Sequence, residues 1–588
     1  MKLNYKKTIF VGFAFFLICA FWQAYDNTVP LILTNKFGMS QALSGAIMAL
    51  DNILALFMLP LFGAISDRCH SKRGRRTPFI LVGTVLAAIS FVALSFVDGA
   101  QLKNIEKYSA IDDPAALTAI YEEAEGAGEL MTPEGDKFLL SEKFTKEEFA
   151  EIKSTITNEE GKKITNPDYT NYVVPARQHA IQGVTDANKG TLIAFFVMLM
   201  ITLVAMSTFR SPAVALMPDV TIKPLRSKAN AVINLMGTAG GILVLALGMV
   251  FATSSVKNSM MSYTGYFAVI AGIMILSLLV FMLKVDEPKF VNEMEEESRR
   301  LGISEEEETE GEAAEDEAAN QSAGASAASS SEEHAESKTS ASAIGAAKGF
   351  KKALERKDAA GAPESGAKAS ESPVGTRDGK AAKHKLSPAE RRSLIFILLS
   401  IVLWFMGYNA VTSKYSVYAS TILHKDYNLT LIIAQVAAII SYLPVGIIAS
   451  KIGRKKTIIA GVVMLAVSFG AAAFMRASSP TMVMNALFAL AGIGWATINV
   501  NSFPMVVEMC SGADVGRYTG YYYTASMAAQ VITPVISGFL MDKLGMTVLF
   551  PYAMIFAGAA IFTMLKVMHG DSKPGAKKGL EALEGADD

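Results

Sequence analysis

The chain has 588 residues, of which 51% are hydrophobic, with a formal net charge of −1 and a mean hydropathy of +0.33. A soluble protein of this length would hold several domains, but the apolar excess places most of the chain in lipid. Only Cys19, Cys69 and Cys510 are cysteines, which leaves no basis for a disulfide framework or a Cys metal site.

The first apolar run, Thr8 to Thr34, follows Lys6 and Lys7 and carries Gln23, Asp26 and Asn27. It is too long for a signal-peptide core and lacks a cleavage pattern, so it is expected to be a retained first span. Gln41 to Ser66, with Asp51 and Asn52, and Pro78 to Val97 supply the second and third spans, each long enough to cross about 30 Å of hydrocarbon. Between them lies Gly63-x-x-Ser66-Asp67-Arg68-x-x-Ser71-x-x-Gly74-Arg75-Arg76-x-Pro78-Phe79-Ile80. Residues Asp98 to Lys189 form a polar insert with helix-like pieces at Pro114 to Glu125 and at Phe144 to Ser154, the latter opened by a capping-box pattern, Thr145 with Glu148. A small external cap is the expected role of this insert, and a solute-capturing lid is the alternative.

Gly190 to Met217, containing Arg210, then Asn230 to Thr253, containing Asn234, and Ser262 to Val285 complete the first half. Residues 286–390 turn Glu-rich and then Ala-, Ser-, Gly- and Lys-rich. A disordered linker that tethers the halves is expected there. The second half runs Arg391 to Ser420, Asn428 to Ser450, Thr457 to Met475, Pro480 to Val507, Gly516 to Leu540 and Gly545 to Met568. Basic residues fall in alternate loops: Lys2, Lys6 and Lys7; Arg68 to Arg76; Lys223, Arg226 and Lys228; Lys451 to Lys456; Arg517; and the tail at Lys573, Lys577 and Lys578. By the positive-inside rule both termini are expected to be cytoplasmic and the insert extracytoplasmic. Gly446 to Lys451 with Gly453-Arg454-Lys455 echoes the loop after the second span, which makes the halves related copies.

The loop Gly63 to Ile80 resembles those of the major facilitator superfamily. Its lengthened spacing, the Gly-Arg-Arg-x-Pro-Phe-Ile ending, Arg226-x-x-Ala229-Asn230 with Gly237, Gly240 and Gly241, and Tyr408-Asn409-Ala410 are similar to the sucrose-proton symporters and their glycoside-pentoside-hexuronide cation symporter relatives. The resemblance covers nearly all the spans and neither insert. It implies two six-helix bundles rocking around a central sugar site, with uptake driven by a proton or sodium gradient. One departure stands out: Thr191 to Phe209 has no acidic residue, whereas the plant sucrose transporters carry one in the fourth span. Coupling here must use another acid.

Ionisable groups cost about 2.5–3.5 kcal/mol at a helix centre on insertion scales, so those retained face a wet interior or one another. Asp26 and Asp51 are the candidate proton or cation carriers, because a partly dry site changes how readily a carboxylate exchanges its proton. Arg210 and Lys414 are candidate counter-charges or solute donors, and Glu508 reads as a loop contact. Gln23, Asn27, Asn234, Asn409, Gln435 and Gln530 are amides in apolar runs and are candidate solute contacts. Trp22, Trp404, Trp495 and Tyr522 are candidate stacking faces. Taken singly, each amide reads first as a helix-to-helix hydrogen bond; taken together, they point to a polar interior that holds water or solute. Gly63, Asp67, Arg68, Gly74, Arg75, Arg76 and Arg226 are expected to latch one conformation on the cytoplasmic side, the plainer reading being positive-inside topology alone. Gly237-x-x-x-Gly241 reads as a packing signal.

The sequence therefore points to an all-α membrane protein of major facilitator fold. Its parts are three spans in 1–97, an insert at 98–189, three spans in 190–285, a linker at 286–390, a C-terminal bundle at 391–568 and a tail at 569–588. A monomeric secondary transporter of the cell membrane is expected, importing a sugar or glycoside with a coupling cation, by expectation a proton. No enzyme chemistry, cofactor, metal or nucleic-acid partner is expected. The rival readings are a proton-driven exporter of amphipathic compounds and a membrane sensor or scaffold acting through the linker.

Overall fold

The computed structural model describes residues 3–157, 161, 163–301, 387–509 and 515–570. The tail lysines and most of the expected linker lie outside the described residues. Among the described residues, eleven helices are long and apolar enough to cross a membrane. A further 26-residue helix, Tyr427–Ile452, takes the eighth place in chain order. Helices suit lipid because they satisfy their backbone hydrogen bonds internally. The first half packs Tyr5–Phe37, Gln41–Asp67, Thr77–Asn104, Gly190–Asp219, Arg226–Val250 and Thr264–Lys284. The second half packs Pro388–Tyr418, Tyr427–Ile452, Arg454–Ala472, Thr481–Val507, Val515–Leu544 and Leu549–Leu565. Each half has its own apolar core, one centred on residues such as Phe21, Phe91 and Phe267, the other on Trp404, Phe488 and Phe550. Gly237 and Gly240 of the fifth span seat against Cys19 and Phe16 of the first, whereas Gly241, the second glycine of the expected packing pair, faces the Gln23 and Gln435 side chains.

Two spans depart from their expected form. The third continues to Asn104, past the expected end at Val97, because Asp98 is not a loop residue. It is fully buried against Lys36, whose Nζ lies 2.6 Å from its Oδ1, with the Met261 carbonyl accepting a third bond at 2.6 Å. Two charges that end their apolar runs in sequence thus neutralise each other inside the fold. The second span is interrupted at Ala49, giving Gln41–Met48 and Leu50–Asp67, and Asp51 falls in the first turn of the second piece. A helix N-terminus favours negative charge there.

The expected linker also begins differently. Glu287–Arg300 is helical. Asp286 accepts from Lys289 N at its start, and Lys7 of the first span donates to the Phe290 carbonyl and to Glu293, both at 3.3 Å.

The insert is a small folded unit around Leu117, Ile120, Phe149, Tyr169 and Ile181. Its helix Pro114–Glu125 matches the expected piece. The second piece is shorter, Lys146–Ala150, and its capping box forms; beyond it the chain turns into a hairpin pairing Thr155–Thr157 with Lys163–Thr165. The unit touches both halves. Gln178 Nε2 donates to the Met39 carbonyl at 2.9 Å in the first half, while Met546 N of the second half donates to the Pro133 carbonyl at 2.7 Å. On this same insert side Asp542 caps the second span, accepting from Gln41 N and Ala42 N at 2.7 and 2.8 Å.

Candidate functional site

Between the halves lie two adjoining cavities. The larger, about 750 Å³ of empty space, is lined by Gln23, Asp26 and Asn27 of the first span, Tyr408 and Thr412 of the seventh, Gln435 of the eighth and Trp495 of the tenth. The smaller, about 360 Å³, is lined by Asp26, Asp51, Asn52, Asn409, Thr412, Ser413 and Gln530. Seven of the ten residues proposed for the pathway thus converge, and Asp26 lines both cavities.

Their polar contacts are sparse for so buried a set. Gln435 Nε2 donates to Gln23 Oε1 across the seam at 2.7 Å, and Asn27 Nδ2 donates to the Gln23 carbonyl at 2.7 Å. Asp51 Oδ1 accepts from Asn52 N and Nδ2 at 2.7 and 2.8 Å. Asp26 Oδ2, Asn409 Nδ2 and Gln530 Oε1 are buried without a hydrogen-bond partner. Buried polar atoms are ordinarily satisfied, so unfilled positions facing a cavity have the character of solute or water contacts. Tyr408 and Trp495 lie parallel, ring centroids 3.6 Å apart with planes 3° apart, and form a broad aromatic wall. Arg210 is buried over the Trp22 ring, 5.5 Å from its centroid, and interacts electrostatically with both Asp26 and Asp51.

Two more of the ten, Asn234 and Lys414, and two of the stacking candidates, Trp404 and Tyr522, sit elsewhere. Asn234 lines neither cavity, and its backbone carbonyl accepts from Thr238 Oγ1. Lys414 is buried at the insert-side seam, where its Nζ donates to the Gln41 carbonyl at 2.6 Å. Beside it stands Asp542, which sequence reading passed over because the eleventh apolar run stops two residues earlier. Trp404 is enclosed in the second core, and Tyr522 is bonded to Ser502 at 3.0 Å, so neither is a stacking face.

On the opposite side, Gly74, Arg75 and Arg76 form one knot with residues the motif does not contain. Arg76 pairs with Asp67 (2.5 Å) and with Asp219 (2.9 Å), and Arg75 pairs with Asp219 (2.6 Å). Glu287 accepts from the backbone of Arg75, Arg76 and Thr77 and so caps the third span. Gly74 has φ +100°, and a Cβ there would stand 2.2 Å from the Glu287 carboxyl carbon. Arg226 binds the Pro218 and Thr221 carbonyls at the end of the fourth span. Gly63 is buried under the loop, and the Arg68 side chain is exposed outside the knot. In the second half Arg454 pairs with Glu508 at 2.9 Å, the counterpart of Arg75 with Asp219, and Lys455 Nζ donates to the carbonyl of Val567 at 2.5 Å. Asp219 and Glu287 escaped the sequence reading because one follows Pro218 at a span end and the other opens the apparent linker.

This two-bundle arrangement agrees with the family model described as MFS_1 like family, which matches residues 4–552. The chain belongs to this family of major facilitator transporters. It is similar to the sucrose transport protein SUC3 of Arabidopsis thaliana, 42% identical over 67 residues, 11% of each chain. It is also similar to the human proton-associated sugar transporter A, 32% identical over 91 residues, 16% of this chain and 12% of the relative. These matches span only about a ninth of the relatives' own length. Among solved structures, a bacterial homologue of the human drug peptide transporters PepT1 and PepT2 aligns with a TM-score of 0.51 at 11% identity, covering 96% of this chain and 98% of that one, which shows the shared fold. The transporter is a multi-pass membrane protein, and its relatives are not enzymes.

Proposed function

We propose that this transporter imports a sugar or glycoside together with a proton, as a secondary active symporter. The observation that carries the reading is Asp26: a buried carboxylate lining both cavities, one oxygen unpartnered, with Arg210 as its counter-charge and Asp51 as a second acid. In this reading sugar hydroxyls meet the Gln23, Asn27, Asn409, Gln435 and Gln530 amides, and the apolar face of a pyranose lies against the Tyr408 and Trp495 wall. A proton on Asp26 frees Arg210 to pair with Asp51, and its loss restores the first pairing, so proton occupancy and bundle position are linked. Lys414 and Asp542 hold the outer seam, while the knot of Asp67, Arg75, Arg76 and Arg226 holds the inner side. In this reading both termini are cytoplasmic and the insert lies outside the cell membrane, which the alternate basic loops support. The printed names of the two sugar-transporting relatives favour a sugar as solute. One chain supplies both walls of the cavity, so a monomer suffices.

Uptake of labelled sucrose and maltose into vesicles tests this. Accumulation is expected only with an acid-outside gradient, and Asp26→Asn is expected to reduce it to simple equilibration while sugar exchange across the membrane persists. Wild-type accumulation in Asp26→Asn would remove that residue from coupling. Absence of sugar uptake alongside gradient-driven dye extrusion would replace the symporter with an exporter.

A further inference from the structure

A third cavity, about 590 Å³ of empty space, lies beneath the insert and draws its walls from the insert and from both halves. Its lining is rich in hydroxyls and amides: Asn35 of the first span, Gln178 of the insert, Ser254 and Ser255 after the fifth span, and Thr421 after the seventh. Asn35 lies eight residues beyond Asn27 on one helix, about 12 Å along its axis, and no residue is shared with the central cavities.

The charged member is Arg177, on the insert helix Val174–Ala187. Its side chain is 3% exposed. Nη2 donates to the Ala110 and Ile111 carbonyls at 3.2 and 3.5 Å, and the guanidinium lies over the Tyr169 ring, 5.4 Å from its centroid. Nε has no hydrogen-bond partner. Among the described residues no carboxylate pairs with it. A buried guanidinium without a counter-charge is unfavourable, and its unpartnered Nε–H is a donor suited to a charge-assisted bond with an oxyanion.

We propose that this outer cavity is a second binding site, taking a small polyol that carries a carboxylate, such as a sugar acid. The carboxylate meets Arg177, and the hydroxyls meet the Ser, Thr, Asn and Gln side chains around it. Because the cavity sits on the insert side of the seam, its ligand arrives from that face without passing the central site. The site does not depend on what the central cavity carries.

Calorimetric titration of the full purified chain with D-glucuronate, D-glucose and inorganic phosphate tests the assignment. Glucuronate is expected to bind at least about tenfold tighter than either, and Arg177→Gln to weaken it about tenfold or more, the loss of one charge-assisted contact. If Arg177→Gln does not fold, Ser255→Trp fills the cavity from the opposite wall and is expected to abolish binding. Unchanged glucuronate affinity in either folded variant, or phosphate binding as tight as glucuronate, would each overturn the proposal.

Discussion

At the scale of single residues, the knot on the linker side shows how unequal neighbouring charges are. Asp67, the acid the motif names, has a side chain 42% exposed and one partner, Arg76. Asp219 has a side chain 12% exposed and holds both Arg75 and Arg76. An exposed pair contributes about 0–1 kcal/mol, whereas stripping the partner from a buried charge costs several times more, and Arg76 is buried. Asp67→Ala is therefore expected to slow turnover mildly, and Asp219→Asn to slow it by a further order of magnitude, with solute affinity little changed in either. Exchange rates in reconstituted vesicles give the comparison; the reverse order would return Asp219 to a topological role. The motif was legible because its residues are contiguous and echoed at Gly453 to Lys455. Asp219 was not, since it stands 143 positions from Arg76 and only folding joins them. Arg68 shows the converse: membership of a charged string does not say which side chains turn inward.

At the scale of elements, the twelve helices were readable because apolar runs in lipid admit few alternatives. Their ends were not. Hydropathy alone stopped the first and third spans just short of Lys36 and Asp98, the two charges that each make the other's burial tolerable. The same blindness hid Glu287–Arg300. Its composition reads as solvated, yet Asp286 caps it, Pro288 suits its first turn, Arg299 and Arg300 suit its last, and Met294 is buried against Ile222 and Leu225. The element matters because Glu287 closes the N-terminus of the third span with three backbone N–H groups and the Thr77 hydroxyl. Loss of a side-chain cap typically costs about 0.5–2 kcal/mol. Glu287→Ala is thus expected to lower the melting temperature of the purified transporter by a few degrees, and Gly74→Ala to lower it as well, because its φ is left-handed and its Cβ would overlap the same carboxyl. Unchanged melting in Glu287→Ala would mean that water caps the helix equally well.

At the scale of the molecule, pairing of the two halves was legible in the repeated loop, and the structure extends it: Arg75 with Asp219 and Arg454 with Glu508 are one device used twice. The role of the insert was illegible for a physical reason. Its bridge to the second half is made largely by backbone, Met546 N to the Pro133 carbonyl and the Thr547 hydroxyl to the Glu134 carbonyl, and such contacts leave no signature in side-chain identity. Gly545, at φ +90°, admits the approach, since a Cβ there would stand 2.6 Å from the Glu134 carbonyl. The insert is rooted in the first half, so rocking the two halves apart on this side must break the bridge. A pair of cysteines, Glu134→Cys and Thr547→Cys, in a chain whose Cys19, Cys69 and Cys510 are replaced, puts one thiol on each side of this hydrogen-bonded contact. Oxidation is expected to hold the insert side shut and stop both import and exchange, and reduction to restore them. Each single cysteine should transport normally under oxidant, which separates cross-linking from damage. If the oxidised double variant transports as fast as its reduced form, the insert does not part from the second half during the cycle, and alternating access must proceed around a seam that this contact does not control.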